Sequence, residues 1–171
     1  TIIAWHISNE YNGECHCELC QQAFREYLKE KFHGNIRELN QAYWTTFWSH
    51  TYDSFDQIEA PGALTETGIH GLNLDWKRFI TRQTISFIEN EIAPIREHCP
   101  HLPVTTNMMY EFVDLDYHKV ARVLDFASWD SYPEWHNGDD TVIAQRAAFW
   151  HDVYRSLKQK PFLLMESTPS L

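Results

Sequence analysis

The sequence predicts an α/β fold in which parallel strands alternate with helices, as in part of a (β/α)8 TIM barrel. Three observations predict it. Short apolar runs rich in β-branched and aromatic residues recur at about 1–8, 103–108, 125–129 and 161–166. The segments between them carry apolar residues at i, i+3 and i+4, the spacing of amphipathic helices. Strands joined through helices pair in parallel and cross over right-handed.

The first run, Thr1 to Ser8, is expected to be a buried strand that delivers Asn9 and Glu10 at its C-terminal tip. A cysteine-rich loop, Tyr11 to Cys20, leads into a helix with Phe24, Leu28 and Phe32 on one row and Leu19, Ala23 and Tyr27 on the next. Gly34 stops that helix. Asn35, with Glu38 three residues later, has the form of a variant capping box for a short helix through Leu39 and Tyr43. An aromatic loop, Tyr43 to Trp48, precedes a Gly- and Pro-punctuated stretch from Ile58 to Gly71, expected to lie over the functional face.

Asn73 is the expected cap of a long helix whose stripe runs Trp76, Phe79, Ile80, Phe87, Ile88, Ile92 and Ile95, with Pro94 expected to kink its last turn. Pro103 to Met108 forms the second strand, and a helix around Val120, Val123 and Leu124 follows it. Asp125 to Trp129 is the third strand. Asp139 or Asp140 then caps a helix that turns Val142, Ile143, Ala147, Trp150, Tyr154 and Leu157 inward. Pro161 to Met165 is the last strand, and it ends on Glu166.

A complete barrel needs about 250 residues. Four strands in 171 residues are half of one. The alternative, a doubly wound sheet, lacks its usual phosphate fingerprint, because the six glycines form neither a GxGxxG nor a Walker run. Half a barrel leaves open sheet edges that other segments must complete. The expectation is therefore a piece of a longer chain.

Composition narrows the partners. Fourteen basic against twenty-four acidic residues give a net charge of −10, which argues against nucleic acid and anionic membranes. No apolar stretch approaches the roughly 20 residues that span a bilayer. The chain opens inside a strand and without Met, so the lack of a signal peptide says little. Twenty-five aromatic residues (seven Trp, eight Tyr and ten Phe) suit either a core or stacking on sugar rings.

Glu10 and Glu166 carry the chemistry. An Asn-Glu pair alone is as readily a helix cap or a surface turn. Here both glutamates close apolar strands, and barrel active sites collect at C-terminal strand ends. Two carboxylates at the tips of parallel strands are the equipment of a sugar-cleaving site. A separation of about 5–5.5 Å would mark a retaining mechanism and about 6.5–9.5 Å an inverting one. The acid partner needs burial or a neighbouring carboxylate to hold its proton near neutrality.

The third constellation is Cys15-His16-Cys17-Glu18-Leu19-Cys20. Three thiols so close fit disulfides badly and suit tetrahedral zinc. Cys99 follows a long helix and is expected to be a separate buried or loop thiol, leaving the fourth ligand to a residue before Thr1, to His16 or to water. The ten histidines show no HExxH spacing and read mostly as solvated side chains.

Trp5-His6-Ile7-Ser8-Asn9-Glu10-Tyr11, the Cys15/Cys17/Cys20 cluster, Phe47-Trp48-Ser49-His50-Thr51-Tyr52 and Leu164-Met165-Glu166-Ser167-Thr168-Pro169-Ser170 together resemble the β-galactosidases of glycoside hydrolase family 42. The resemblance covers essentially the whole chain. It implies that residues 1–171 are strands four to seven of a catalytic barrel with further domains elsewhere, and that the isolated stretch is inactive. It also implies acid/base Glu10, nucleophile Glu166 and sugar contacts from Asn9, Trp48 and Tyr132. By the same resemblance, Cys15, Cys17 and Cys20 belong to a structural, non-catalytic zinc site of four cysteines whose remaining ligand lies outside this chain.

The partners so implied are a β-galactoside, the remainder of the enzyme chain and, in the intact enzyme, further copies, with a trimer frequent among members. The expected compartment is the cytoplasm, although close thiols suit a reducing interior or bound zinc equally. Two other readings stand beside this one. A non-catalytic sugar-binding or zinc-organised module would leave the two carboxylates divergent. A clan relative with another β-glycoside specificity would share the Asn-Glu pattern without the cysteines.

Overall fold

The computed structural model describes residues 1–62, 67–110, 114–135 and 137–168. Its elements run β1 (Trp5–His6), α1 (Glu18–Lys31), α2 (Ile36–Tyr43), α3 (His70–His98), β2 (Val104–Thr105), β3 (Asn107–Met108), α4 (Tyr117–Val123), β4 (Ser128–Ser131), α5 (Asp140–Lys158) and β5 (Leu163–Ser167). Two compact units divide them: residues 1–12 with 81–171, and residues 13–80.

The first unit holds every described strand, and all pairings are parallel: β1 with β2, and β3 with β4 and β4 with β5. The expected α/β alternation is present, with strands shorter than the apolar runs. The second run is broken at Thr106 into β2 and β3. Hydroxyls bridge the break: Ser128 Oγ donates to the Thr106 carbonyl (2.8 Å) and lies 3.0 Å from Thr105 Oγ1. The third strand starts and ends later than expected, so Asp130 lies inside it.

The outer runs are not buried as expected. Ile2 and Ile3 are exposed, as are Leu163 and Leu164. Among the described residues β1 pairs only with β2 and β5 only with β4, so each has a single strand neighbour. The core lies between strands and helices instead. Ile88 and Ile92 from α3, Val104, Met108, Val120, Leu124, Trp129 and Tyr154 are all buried. The Trp129 and Tyr154 rings stack at 4.7 Å, and the Tyr154 hydroxyl donates to the Met109 carbonyl at 2.6 Å. That bond gives a buried phenol the partner it requires.

α5 begins as expected. Asp139 Oδ1 accepts from the Thr141 N–H at 2.8 Å, and Tyr154 is buried on the inner face. Val142, expected inward, is exposed.

The second unit packs α1, α2, two 3-10 turns (Thr45–Trp48 and Phe55–Gln57) and the first turns of α3 around Phe24, Leu28, Leu39, Ile58, Trp76 and Phe79. Asn35 caps α2 as expected, its Oδ1 accepting from Arg37 N (3.1 Å) and Glu38 N (3.4 Å). Gly34 stands at φ +72 beyond the end of α1, returning its N–H to the Lys29 carbonyl at 2.8 Å. The Phe24, Leu28 and Phe32 row of α1 is buried, and Ala23 and Tyr27 of the second row pack against it, whereas Leu19 is exposed.

Asn73 does not cap α3. The helix starts three residues earlier at His70, and the Asn73 amide donates to the Thr67 carbonyl (2.6 Å) instead of accepting from a helix N–H. Gly71 is required by packing, since a Cβ there would meet the Tyr43 ring at 2.4 Å. Pro94 lies within α3, which continues to His98. Residues 63–66 of the stretch expected over the functional face lie outside the described residues. Among the described residues no helix is long and apolar enough to cross a membrane.

Candidate active site

The first unit brings Asn9, Glu10, Asn107, Asp130, Tyr132 and Glu166 together at the C-terminal ends of its strands. Glu10 leaves the tip of β1 with a left-handed backbone, φ +45, and Ser8 does the same at φ +44. A non-glycine residue holds that conformation only when its surroundings enforce it, and such residues cluster at functional sites. Here the enforcement is visible. The Glu10 N–H donates to Asn107 Oδ1 at 3.0 Å, and Asn12 Nδ2 donates to the Glu10 carbonyl at 2.9 Å. Ser8 Oγ (2.8 Å) and the Tyr11 hydroxyl both donate to Glu91 on α3, tying the loop down on either side.

Glu166 is placed by an irregularity in the ladder. Trp129 pairs with Leu164 but Asp130 pairs with Glu166, so one residue of β5 is extra at this point. Side chains alternate faces along a strand, and an extra residue re-aims those beyond it. Without it, Met165 would stand opposite Asp130. With it, the two carboxyls are cross-strand neighbours.

Asn107 is the hub. It is 1% exposed. Its Nδ2 donates to Asp130 Oδ2 at 2.7 Å, Asn9 Oδ1 at 3.0 Å and Glu166 Oε1 at 3.1 Å, two hydrogens shared among three acceptors. Its amide orientation follows, because one side faces the Glu10 N–H and the other faces only oxygens. His6 Nε2 lies 3.0 Å from Asn107 Oδ1 and 3.2 Å from Asn107 N.

One carboxylate oxygen from each of Glu10, Asp130 and Glu166 lies within 4.8 Å of the others. The Tyr132 hydroxyl donates to Glu166 Oε2, so both Glu166 oxygens accept hydrogen bonds, one from a phenol and one from an amide. That bond to Glu166 raises the Tyr132 phenol to about 12. Burial first, then the charge of Glu166 and the nearness of Glu10, push the Asp130 carboxyl up to about 7 against the hydrogen bond from Asn107.

Asn107 and Asp130 were not among the site residues expected from sequence. Asn107 carried a signal, as a polar residue within the expected second strand, where a buried polar group needs a reason to be there; Asp130, one residue past the expected third strand, carried none. Trp48 and the cysteines Cys15, Cys17 and Cys20 belong to the second unit. Trp48 ends a 3-10 turn, its ring set edge-on to Phe47 (5.0 Å) and His70 (5.9 Å).

The three thiol sulfurs of Cys15, Cys17 and Cys20 lie within 4.8 Å of one another, and Cys17 Sγ is 3.7 Å from Cys20 Sγ. Thiolates at about 2.3 Å from a tetrahedral zinc stand about 3.8 Å apart, so the spacing fits that ion. Burial and the neighbouring thiols push Cys20 up to about 12, whereas hydrogen bonds, first from the Cys20 backbone, hold Cys17 below the usual thiol range. Glu14 anchors the loop by accepting from Trp76 Nε1 at 2.9 Å, and the His16 ring packs on Trp76 at 5.0 Å. Cys99 is partly buried, at the end of α3 in the first unit.

The family model for glycoside hydrolase family 42, described as β-galactosidase, matches residues 1–171. Among curated proteins, the β-galactosidase GalA of Bacillus licheniformis is 54% identical over 99% of this chain and 26% of its own length. The β-galactosidase BglY of Alicyclobacillus acidocaldarius is 56% identical over 99% of this chain and 25% of its own. The solved structure of Gan42B, a GH42 β-galactosidase from G. stearothermophilus, superposes with a TM-score of 0.94 at 58% identity, covering 98% of this chain and 26% of that one. This chain therefore spans about a quarter of the length of the relatives it matches.

Proposed function

Because the chain belongs to glycoside hydrolase family 42, we propose that it is strands four to seven of the catalytic barrel of a retaining β-galactosidase, with Glu10 as acid/base and Glu166 as nucleophile. The observation that carries this reading is the closeness of the two side chains, one carboxylate oxygen of Glu10 lying within 4.8 Å of one of Glu166. It supports retention, for which about 5–5.5 Å is expected, over inversion, which needs room for a water between them. It also speaks against the non-catalytic module, whose carboxylates would diverge.

In the proposed reaction Glu10 protonates the departing glycosidic oxygen while a Glu166 oxygen bonds to the anomeric carbon. Tyr132 and Asn107, each donating to one Glu166 oxygen, hold the attacking group in one orientation. Water, deprotonated by Glu10 in its basic form, then releases galactose. Asn9 has its Oδ1 bound to Asn107, which presets its amide for a sugar hydroxyl. By family resemblance Trp48 offers an aromatic face to the sugar.

Cys15, Cys17 and Cys20 would hold a structural zinc whose fourth ligand comes from elsewhere in the enzyme. Bound there, zinc would cross-link the loop and take no part in the reaction. The exposed apolar residues of β1 and β5 support the view that further barrel strands cover them in the complete enzyme.

The test is hydrolysis of a nitrophenyl β-galactoside. The complete enzyme is expected to turn it over and to lose that activity on Glu10→Gln or Glu166→Gln. The isolated 171-residue chain is expected to show negligible turnover, and hydrolysis by it that vanished on Glu166→Gln would overturn the claim that the missing strands are required.

A further inference from the structure

Asp130 has no role in the mechanism above, yet it is the most buried of the three carboxyls, at 1% exposure. Its Oδ2 accepts from Asn107, but its Oδ1 is buried with no donor. The groups facing it are Asn107 from β3, Glu166 from β5, Glu10 from the tip of β1, Tyr117 from α4, Tyr154 from α5 and Tyr132 from the exit of its own strand. None of these is a cation.

The Tyr132 hydroxyl is spent on Glu166 and the Tyr154 hydroxyl on the Met109 carbonyl. The Tyr117 hydroxyl accepts from Met109 N at 2.9 Å, and one carboxylate oxygen of Glu10 lies within 4.8 Å of one of Asp130. Two ionised carboxylates cannot bond, since each only accepts. Oδ1 is the Asp130 oxygen left without a donor, and an ionised Glu10 could not supply one. One proton between them turns the repulsive contact into a charge-assisted hydrogen bond.

We propose that Asp130 is a positioning residue for the catalytic proton: Asp130 Oδ1 and the Glu10 carboxyl share one proton, and this pair holds the proton given to the leaving group. The inference rests on the proposed retaining reaction. In its first step the shared proton moves to the glycosidic oxygen as the glycosidic C–O bond breaks, and a Glu166 oxygen bonds to the anomeric carbon. Glu166 loses its negative charge as the pair gains one, so the summed charge of the three carboxyls does not change. In the second step water gives a proton back to the pair, its oxygen bonds to the anomeric carbon, and Glu166 leaves as a carboxylate.

The burial of Asp130 and its rise to about 7 are consistent with a group that retains a proton where an exposed aspartate would not. A coupled pair titrates as a unit, and the alkaline limb of the rate profile reports that unit.

The experiment is the pH profile of kcat/KM for the complete enzyme and for Asp130→Asn, with a nitrophenyl β-galactoside. Asn keeps the shape and donates to Glu10, but it cannot share an acidic proton. The alkaline limb of the variant is therefore expected to move to lower pH by about one unit, a tenfold loss above the limb with little change on the acid side. A uniform loss at every pH with the limb unmoved would show a structural role only and overturn the proposal, as would an unchanged profile.

If Asp130→Asn does not fold, infrared spectroscopy replaces it. The unsubstituted enzyme should show a protonated-carboxyl C=O stretch that disappears across the alkaline limb and is missing in Glu10→Gln. Its persistence in Glu10→Gln would overturn the sharing. Should the unsubstituted enzyme hydrolyse no β-galactoside, the retaining reading itself fails and the proposal falls with it.

Discussion

Asp130 stands directly across the β4–β5 ladder from Glu166, and it does so because one extra residue in β5 shifts the register just before that pair. Two acidic side chains set opposite each other in a sheet repel. The amide of Asn107, which donates to both, holds them there.

Replacing that amide should therefore hurt chemistry more than binding. Asn107→Asp puts a fourth carboxyl among three and removes the donor to Glu166 and Asp130. The complete enzyme should lose roughly 100-fold in kcat at neutral pH, the scale seen when one preorganised donor is lost, with a smaller change in KM. A rise in KM at unchanged kcat would show that Asn107 serves binding alone.

Asp130 makes a stability prediction with a definite sign. Unfolded, it ionises near its ordinary 3.8, whereas folded it keeps its proton until about 7. Below the lower value both states are protonated and the folded state carries no penalty. As pH rises from the lower value to the upper, the unfolded chain releases the proton and the folded one does not. Stability is lost over that window and stays lost above it. Asp130→Asn should thus melt higher than the unsubstituted enzyme at about pH 8 and equally at about pH 4. A difference in Tm that ignores pH would contradict the raised ionisation of Asp130.

Tyr132→Phe removes the phenol that donates to Glu166 Oε2. Hydrogen bonds to charged groups contribute about 1.5–3 kcal/mol. Steady-state kinetics should show kcat lowered by roughly 10- to 100-fold, with the retained ring keeping KM within a few-fold. Unaltered kcat would remove Tyr132 from the support of the nucleophile.

The cysteine cluster predicts metal content. Metal analysis of the complete enzyme should find about one zinc per chain, lost in Cys17→Ser together with a lower Tm. Because Cys20 is pushed up to about 12 without a cation, binding must expel protons, and zinc should be held less tightly as pH falls. A metal-free enzyme of undiminished Tm would contradict a structural zinc.

Much of this architecture was legible in the sequence because its signals are local. Apolar runs marked the strands, helical stripes marked α1, α3 and α5, and Asn35 and Asp139 cap their helices as side-chain chemistry requires. Glu10 and Glu166, with Asn9 beside Glu10, stood out because each glutamate closes an apolar run, whereas Tyr132 was picked out by the family resemblance alone. What stayed hidden depends on distant pairing. Asp130 lay one residue past the expected end of its strand, and its importance comes from a register shift in β5 that no local pattern encodes. Asn107 looked like the polar end of a strand, and only the fold brings its amide to the carboxyls of Asp130 and Glu166 and to the Glu10 N–H. Asn73 misled because Asn serves equally as an N-cap acceptor or, as here, a donor to the preceding loop.

The central claim is that Glu10 and Glu166 form a retaining pair, and stereochemistry tests it most directly. Proton NMR of the complete enzyme acting on a nitrophenyl β-galactoside should show β-galactose as the first product, with the α-anomer growing in only by later mutarotation. Initial release of α-galactose would contradict the account, because inversion needs the two carboxyls opened to about 6.5–9.5 Å for an attacking water.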